Sequence, residues 1–176
     1  MSDLSDIFAG LESELPEAEH RSHSDRARIE DAVAARQFIR AGKAHFTLKS
    51  LRTETRFTYR ATLSDDKSCV FIGVLNGPDN NSNYKYIGRI ARDVFWAGRR
   101  NPRPGDVAID APSVMAFAWA WHAFLRNEMP ASLEFWHEGR CGRCGRRLTV
   151  PESVASGYGP ECTGRILNFP STSRGR

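Results

Sequence analysis

Between residues 4 and 15 the apolar positions Leu4, Ile7, Phe8, Leu11 and Leu15 recur at three- and four-residue intervals among Asp, Ser and Glu, the period of a short amphipathic helix. Pro16 ends it, and the polar stretch 17–23 reads as a linker. A second helix is expected from Ser24, a suitable N-cap, to Ala41, with Gly42 as its stop, although Ile29, Val33, Phe38 and Ile39 share no clean stripe. From Ala44 the period drops to two. Phe46 and Leu48 alternate with Thr47 and Lys49, then Phe57, Tyr59, Ala61 and Leu63 alternate with Arg56, Thr58, Arg60 and Thr62, which predicts an antiparallel hairpin with one face to the core. An apolar strand over 69–75, a turn-rich stretch over 76–83 and a strand over 84–90 continue the meander, with 94–96 as a further extension.

Residues 97–106 read as a loop carrying Arg99, Arg100 and Arg103 among prolines and glycines. A helix then runs from Asp110 to Asn127, with Pro112 in its first turn. Val114, Phe117, Trp121, Phe124 and Leu125 form its sheet-facing side. Met115, Trp119 and His122 lie on the other, so the helix needs cover on two faces or a partner. Residues 133–137 predict a strand leading into a cysteine cluster. The expected fold is α+β: an antiparallel sheet of four to five strands packed on one main helix, followed by a small metal module. The division expected is an acidic segment and linker at 1–23, a sheet domain at 24–132, a metal module at 133–169 and a tail at 170–176.

The chain has 176 residues, and its charge is unevenly spread. Residues 1–36 hold nine acids against four arginines, so the net charge of +4 is the balance between an acidic N-terminal segment and a more strongly basic body. A basic body suits a polyanionic partner. No run approaches the roughly eighteen apolar residues that cross a bilayer, and the first residues lack the basic region of a signal peptide, so no membrane partner and a cytoplasmic location are expected.

Three of the four cysteines cluster near the C-terminus, as Cys141-x2-Cys144 and then Cys162. Two thiolates two residues apart can address one ion, and Gly142 and Gly145 leave backbone N–H groups free to approach the sulfurs. Cys162 follows Gly157-Tyr-Gly-Pro160, a turn and helix start that would supply a third thiolate. One structural Zn2+ per chain is expected. Four ligands are needed, and His137 is the nearest candidate for the last, with His122, Cys69 or an acid as alternatives. A thioredoxin-like redox pair is the competing reading of C-x2-C, but such pairs open a helix after a strand, whereas this one sits in turn-like sequence with a third cysteine.

The stretch 141–153 with 157–162 also resembles a family of uncharacterised small proteins and domains of phages, plasmids and bacteria, whose pattern is C-x2-C-G-R-x-L, then S, then G-x-G-P-x-C. The stretches 75–80 and 84–88 are similar to the sheet domain that often precedes this module, so the resemblance spans roughly 44–166. It implies a zinc-ribbon-like or treble-clef-like module with three cysteine ligands in a mobile-element protein. It implies no activity.

The sequence offers no catalytic pattern. His137-Glu138 lacks the H-x-E spacing of nucleobase deaminases, and there is no P-loop, dinucleotide fingerprint or nucleophile elbow. A non-enzymatic function is therefore expected. Arg140, Arg143, Arg146 and Arg147 crowd the cysteines. With Arg99, Arg100 and Arg103 in the loop, and Lys49, Arg56 and Arg60 on the hairpin, they make a candidate DNA or RNA surface, for which Trp96 or Tyr84 could stack on bases. The alternative is a protein-binding role: an inhibitor of a host defence (anti-CRISPR-like) or replication protein, contacting its target through Leu4, Ile7, Phe8, Leu11 and Trp119.

Overall fold

The computed structural model describes residues 27–101 and 103–166. The expected helix at 4–15, with Leu4, Ile7, Phe8 and Leu11, and the expected tail at 170–176 lie outside the described residues. The described chain runs β1 (Arg28–Ile29), α1 (Ala32–Arg40), β2 (Lys43–Ser50), β3 (Arg56–Leu63), β4 (Val70–Leu75), β5 (Tyr84–Ala91), β6 (Val94–Ala97), α2 (Pro112–Leu125), β7 (Leu133–His137), α3 (Pro151–Ser156) and α4 (Pro160–Ile166). The fold is α+β. Its antiparallel sheet has seven strands rather than four or five, in the order β1-β7-β2-β3-β4-β5-β6.

The helix expected from Ser24 begins later. Asp31 is its N-cap, accepting the Ala34 N–H at 2.7 Å. Upstream, Arg28 and Ile29 are extended and pair with Trp136 and Phe135 of β7, which buries Ile29. Tertiary pairing overrides local helix preference here.

The hairpin registers as its alternation requires, with Ala44 opposite Ala61, Phe46 opposite Tyr59 and Leu48 opposite Phe57. β7 lies against the outer side of β2, setting Phe135 opposite Leu48 and His137 opposite Phe46. The strand expected to open a separate metal module is therefore the second strand of the sheet, and a boundary at 132/133 cuts through that sheet.

Both long helices cover one face. Phe46 stacks on Phe135 at 4.9 Å and on Tyr59 at 5.6 Å, and Phe117 of α2 closes over Tyr59 at 5.4 Å and Phe95 at 4.8 Å. Each such ring removed from water contributes about 1.5–3 kcal/mol. Polar tips on this face find partners: the Tyr59 hydroxyl donates to the Ser113 carbonyl at 2.7 Å, and the Trp121 indole N–H to the Asp93 carbonyl at 2.9 Å. The α2 sides divide as expected, with Val114, Phe117, Trp121 and Phe124 buried and Met115 and Trp119 exposed. Among the described residues no helix is long and apolar enough to cross a membrane.

The opposite face of the sheet is open. Lys43, His45, Thr47 and Lys49 of β2, Arg56, Thr58, Arg60 and Thr62 of β3, Phe71 of β4, Tyr84, Tyr86 and Arg89 of β5 and Trp96 of β6 are all exposed or half-buried.

Candidate metal centre and basic sheet face

The end of β7 runs straight into the cysteine turn. The Glu138 N–H donates to the His45 carbonyl at 3.1 Å, and Arg140 and Arg147 form a one-bridge hairpin closed by Leu148 N–H to Gly139 O at 2.8 Å. Inside it Cys141 N–H reaches Arg146 O, and Gly145 N–H returns to Cys141 O, both at 2.8 Å. Gly145 has φ +77°, which lets the chain reverse directly after Cys144. α3 ends at Gly157, and α4 places Cys162 in its first turn, with Cys162 N–H on Gly159 O at 2.9 Å. The sulfurs of Cys141, Cys144 and Cys162 lie within 4.8 Å of one another and could hold a metal ion.

The chemistry around the sulfurs fits a cation. Burial opposes ionisation of Cys141, but N–H groups of Cys144, Gly159 and Arg143 aimed at its sulfur, with the Cys144 thiol, bring it below its usual value. Cys162 is pushed up to about 11 by burial, then by hydrogen bonding to Cys141 and Cys144 and by their charge. Three thiolates at this spacing repel one another, and a divalent cation removes that conflict by holding all three ionised. The buried Tyr158 hydroxyl has no hydrogen-bond partner among the described residues. Burial and then the charge of Cys141 raise its pKa.

His137, expected as the fourth ligand, is not in the cluster. Its period-two position with Leu133 and Phe135 turns it to the core face, 3% exposed, and both ring nitrogens are engaged there. Nε2–H donates to the Val154 carbonyl at 2.7 Å, and Nδ1 accepts the Gly139 N–H at 3.1 Å. Burial holds its pKa below the usual value against the opposing pull of that carbonyl, so the ring is a neutral strut between β7 and α3. The alternatives lie elsewhere: His122 is on the exposed side of α2 beside Arg126, and Cys69 immediately precedes β4. Glu161 is an acid that lines a cavity of about 200 Å³ with the three cysteines, and it is loosely paired with Arg146 at 3.8 Å.

Phe38 of α1 fastens this turn to the sheet. A Cβ at Gly142 or Gly157 would stand 2.8 or 2.9 Å from its ring, and His137 and Tyr158 flank the same ring at 5.5 and 5.7 Å.

The cations named from sequence separate into groups. Arg60 and Arg140 line one cleft with Lys43, His45, Thr62, Asn81 and Gly145, and Arg147 lines the adjoining cavity with His45 and Arg140. Lys49 pairs with Glu134 at 3.7 Å, while Arg56 opposite it is exposed. Arg99 lies over the Tyr86 ring at 4.6 Å and pairs with Asp106. Arg100 and Arg103 are exposed in the loop, and Arg143 is half-buried. The sequence reading missed Lys43, His45, Phe71 and Arg89. Strand parity was the available signal, since Lys43 and His45 share the face of Lys49, and Arg89 stands between Phe71 and Trp96 in register.

A family of unknown function (DUF6011) matches residues 131–167, from the start of β7 through α4. No curated protein and no solved structure matches the chain.

Proposed function

We propose that the protein is a non-enzymatic, zinc-containing nucleic-acid-binding protein that takes single strands across the open face of its sheet. The observation that carries this reading is the row Thr62, Phe71, Arg89 and Trp96 in direct register across β3 to β6, with Phe71 41% and Trp96 57% exposed around a guanidinium. Exposed aromatic rings are otherwise wasteful on a sheet face. Beside cations they are what unpaired bases stack on, worth about 1–3 kcal/mol per base. Two further rings of the face, Tyr84 and Tyr86, already carry Arg60 and Arg99 over them.

Zinc is the metal we assign to the cysteine cluster, because three thiolates in a glycine-rich turn and a helix start suit a tetrahedral ion of intermediate softness. A turn donating two thiolates and a helix donating a third give the module a treble-clef-like plan, and its role is structural. A phage or other mobile element is the context that the resemblance of the cysteine motif implies, and the cytoplasm the compartment that its free thiols suit.

Fluorescence anisotropy with labelled single- and double-stranded DNA and RNA tests the proposal. Single strands should bind more tightly than duplexes, and Phe71→Ala with Trp96→Ala should weaken single-strand binding at least tenfold without changing metal content. Dissociation constants above about 100 μM for every probe at 0.1 M salt, weaker than ordinary non-specific binding, would overturn it.

One observation favours a second reading, a protein-binding inhibitor. Trp119, 52% exposed, borders a cavity of about 290 Å³ with Phe57, Pro112 and Leu133 on the helical side, away from the open face. Under that reading Trp119→Ala abolishes capture of a single host protein from nuclease-treated lysate, while Phe71→Ala leaves capture intact.

A further inference from the structure

Where the sheet meets the cysteine turn, a cleft of about 420 Å³ is lined by Lys43, His45, Arg60, Thr62, Asn81, Arg140 and Gly145. Three formal cations and an imidazole converge there from β2, β3 and the cysteine turn, and no carboxylate lines the cleft. Among the described residues neither Lys43, Arg60 nor Arg140 makes an ion pair. We propose that this cleft is a phosphate-binding site, the anchor for the backbone of the nucleic acid whose bases run along the open face. The inference rests on the function proposed above and adds to it the place and chemistry of the backbone contact.

Two features make this a built site rather than a chance meeting of surface cations. Arg60 is held: it stands opposite His45 in the sheet register, lies 4.8 Å above the Tyr84 ring and donates to the Asn81 carbonyl at 3.2 Å. Arg140 donates to the Gly145 carbonyl at 3.5 Å at the other wall. Fixed guanidinium groups lose little freedom on gripping a phosphate, which favours paired N–H contacts to its oxygens. The cleft also lies on the right path. From β3 to β6 is three strand spacings, about 14 Å, so a strand anchored at Arg60 passes Phe71 and reaches Trp96 within a few nucleotides.

His45 reports occupancy. Its surroundings are Arg60 from β3, Tyr84 of β5 with its hydroxyl 3.4 Å from Nδ1, Arg140 and Glu138 beyond the end of β7, and Lys43 on its own strand. Burial, then Arg60 and Arg140, keep its pKa below the usual value. A phosphate among these cations reverses the local field and favours the imidazolium. Affinity for the phosphodiester should therefore rise as pH falls through the range in which the His45 ring takes up its proton.

The test uses the full chain with its metal, inorganic pyrophosphate and a labelled single-stranded oligonucleotide. Pyrophosphate should shift the His45 ring resonances and the Asn81 and Gly145 amides saturably in NMR spectra and raise the His45 titration midpoint; these changes should vanish in Lys43→Gln/Arg140→Gln. In the oligonucleotide arm the same double substitution should reduce affinity at 0.1 M salt at least tenfold. It should also flatten the log–log salt slope by about 1.4, two contacts at roughly 0.7 each. Arg126→Gln, at the end of α2 on the helical side of the sheet, should change affinity less than threefold. An unchanged slope with oligonucleotide binding intact would overturn the cleft and leave the function standing. Cleft shifts with pyrophosphate but no binding of any oligonucleotide would overturn the function and keep the phosphate site for a small phosphorylated ligand. No response to either probe would overturn both.

Discussion

Replacing His137 by alanine separates its two possible roles, because a strut and a ligand fail differently. The imidazole is 3% exposed, and its loss strands the Val154 carbonyl and the Gly139 N–H that it now bridges at 2.7 and 3.1 Å. Each buried group left without a partner costs about 1–3 kcal/mol. The space vacated beside Phe38, whose ring centre is 5.5 Å away, adds a cavity cost. The expected destabilisation is about 3–5 kcal/mol, a fall in Tm of roughly 10–15 °C for a domain of this size. Thermal unfolding of the metal-loaded protein by circular dichroism measures the fall. Titration with a chromophoric chelator at 10 °C, where the variant stays folded, should show metal affinity within about threefold of the parent, against a loss of at least a hundredfold for Cys162→Ser. His137→Gln, with one donor and one acceptor, should restore part of the stability. A folded His137→Ala protein that releases its metal as readily as Cys162→Ser would refute the strut and make the imidazole a ligand.

Two further outcomes follow from the same packing. Gly157→Ala forces a Cβ into φ +76° and to 2.9 Å from the Phe38 ring, so chemical denaturation should show a loss of about 2–4 kcal/mol, while Gly105→Ala, also at positive φ but with open space around it, should lose only about 1 kcal/mol. His45 and His137 both have folded pKa values below the unfolded value near 6.5, so their contribution to stability is complete above pH 6.5 and is lost as pH falls from there towards the folded values. Urea midpoints should therefore drop between pH 6.5 and 5.5 at constant metal, and the drop should shrink in His137→Gln; a midpoint that rose over this window would contradict the assignment.

The parts of the fold that were legible from sequence are those that depend on local period. Alternation along 44–63 fixed both faces of the hairpin, and the two sides of α2 followed from 3.6-residue spacing, down to the exposure of Trp119. The three cysteines were legible because their spacing encodes the turn that carries them. What the sequence could not supply was the partner of β7. Five residues of alternating character can pair with any free strand edge, and only the assembled core, with Phe135 stacked on Phe46, selects the slot between β1 and β2.

That placement links the two halves of the molecule and explains why His137 stands outside the cysteine cluster. Read as the approach to a metal turn, His137 looked available to the ion. Read as the last inward position of a sheet strand, after Leu133 and Phe135, it points to the core, and the parity was already in the sequence. The same insertion carries Arg140 from the metal turn to the wall of a cleft whose other cations, Lys43 and Arg60, belong to β2 and β3. A metal that orders the turn therefore also sets the position of Arg140 against the open face. Were the turn a separate module on a linker, its arginines would add charge to the protein without a fixed place. Joined through β7, one of them completes a site that the sheet alone only begins.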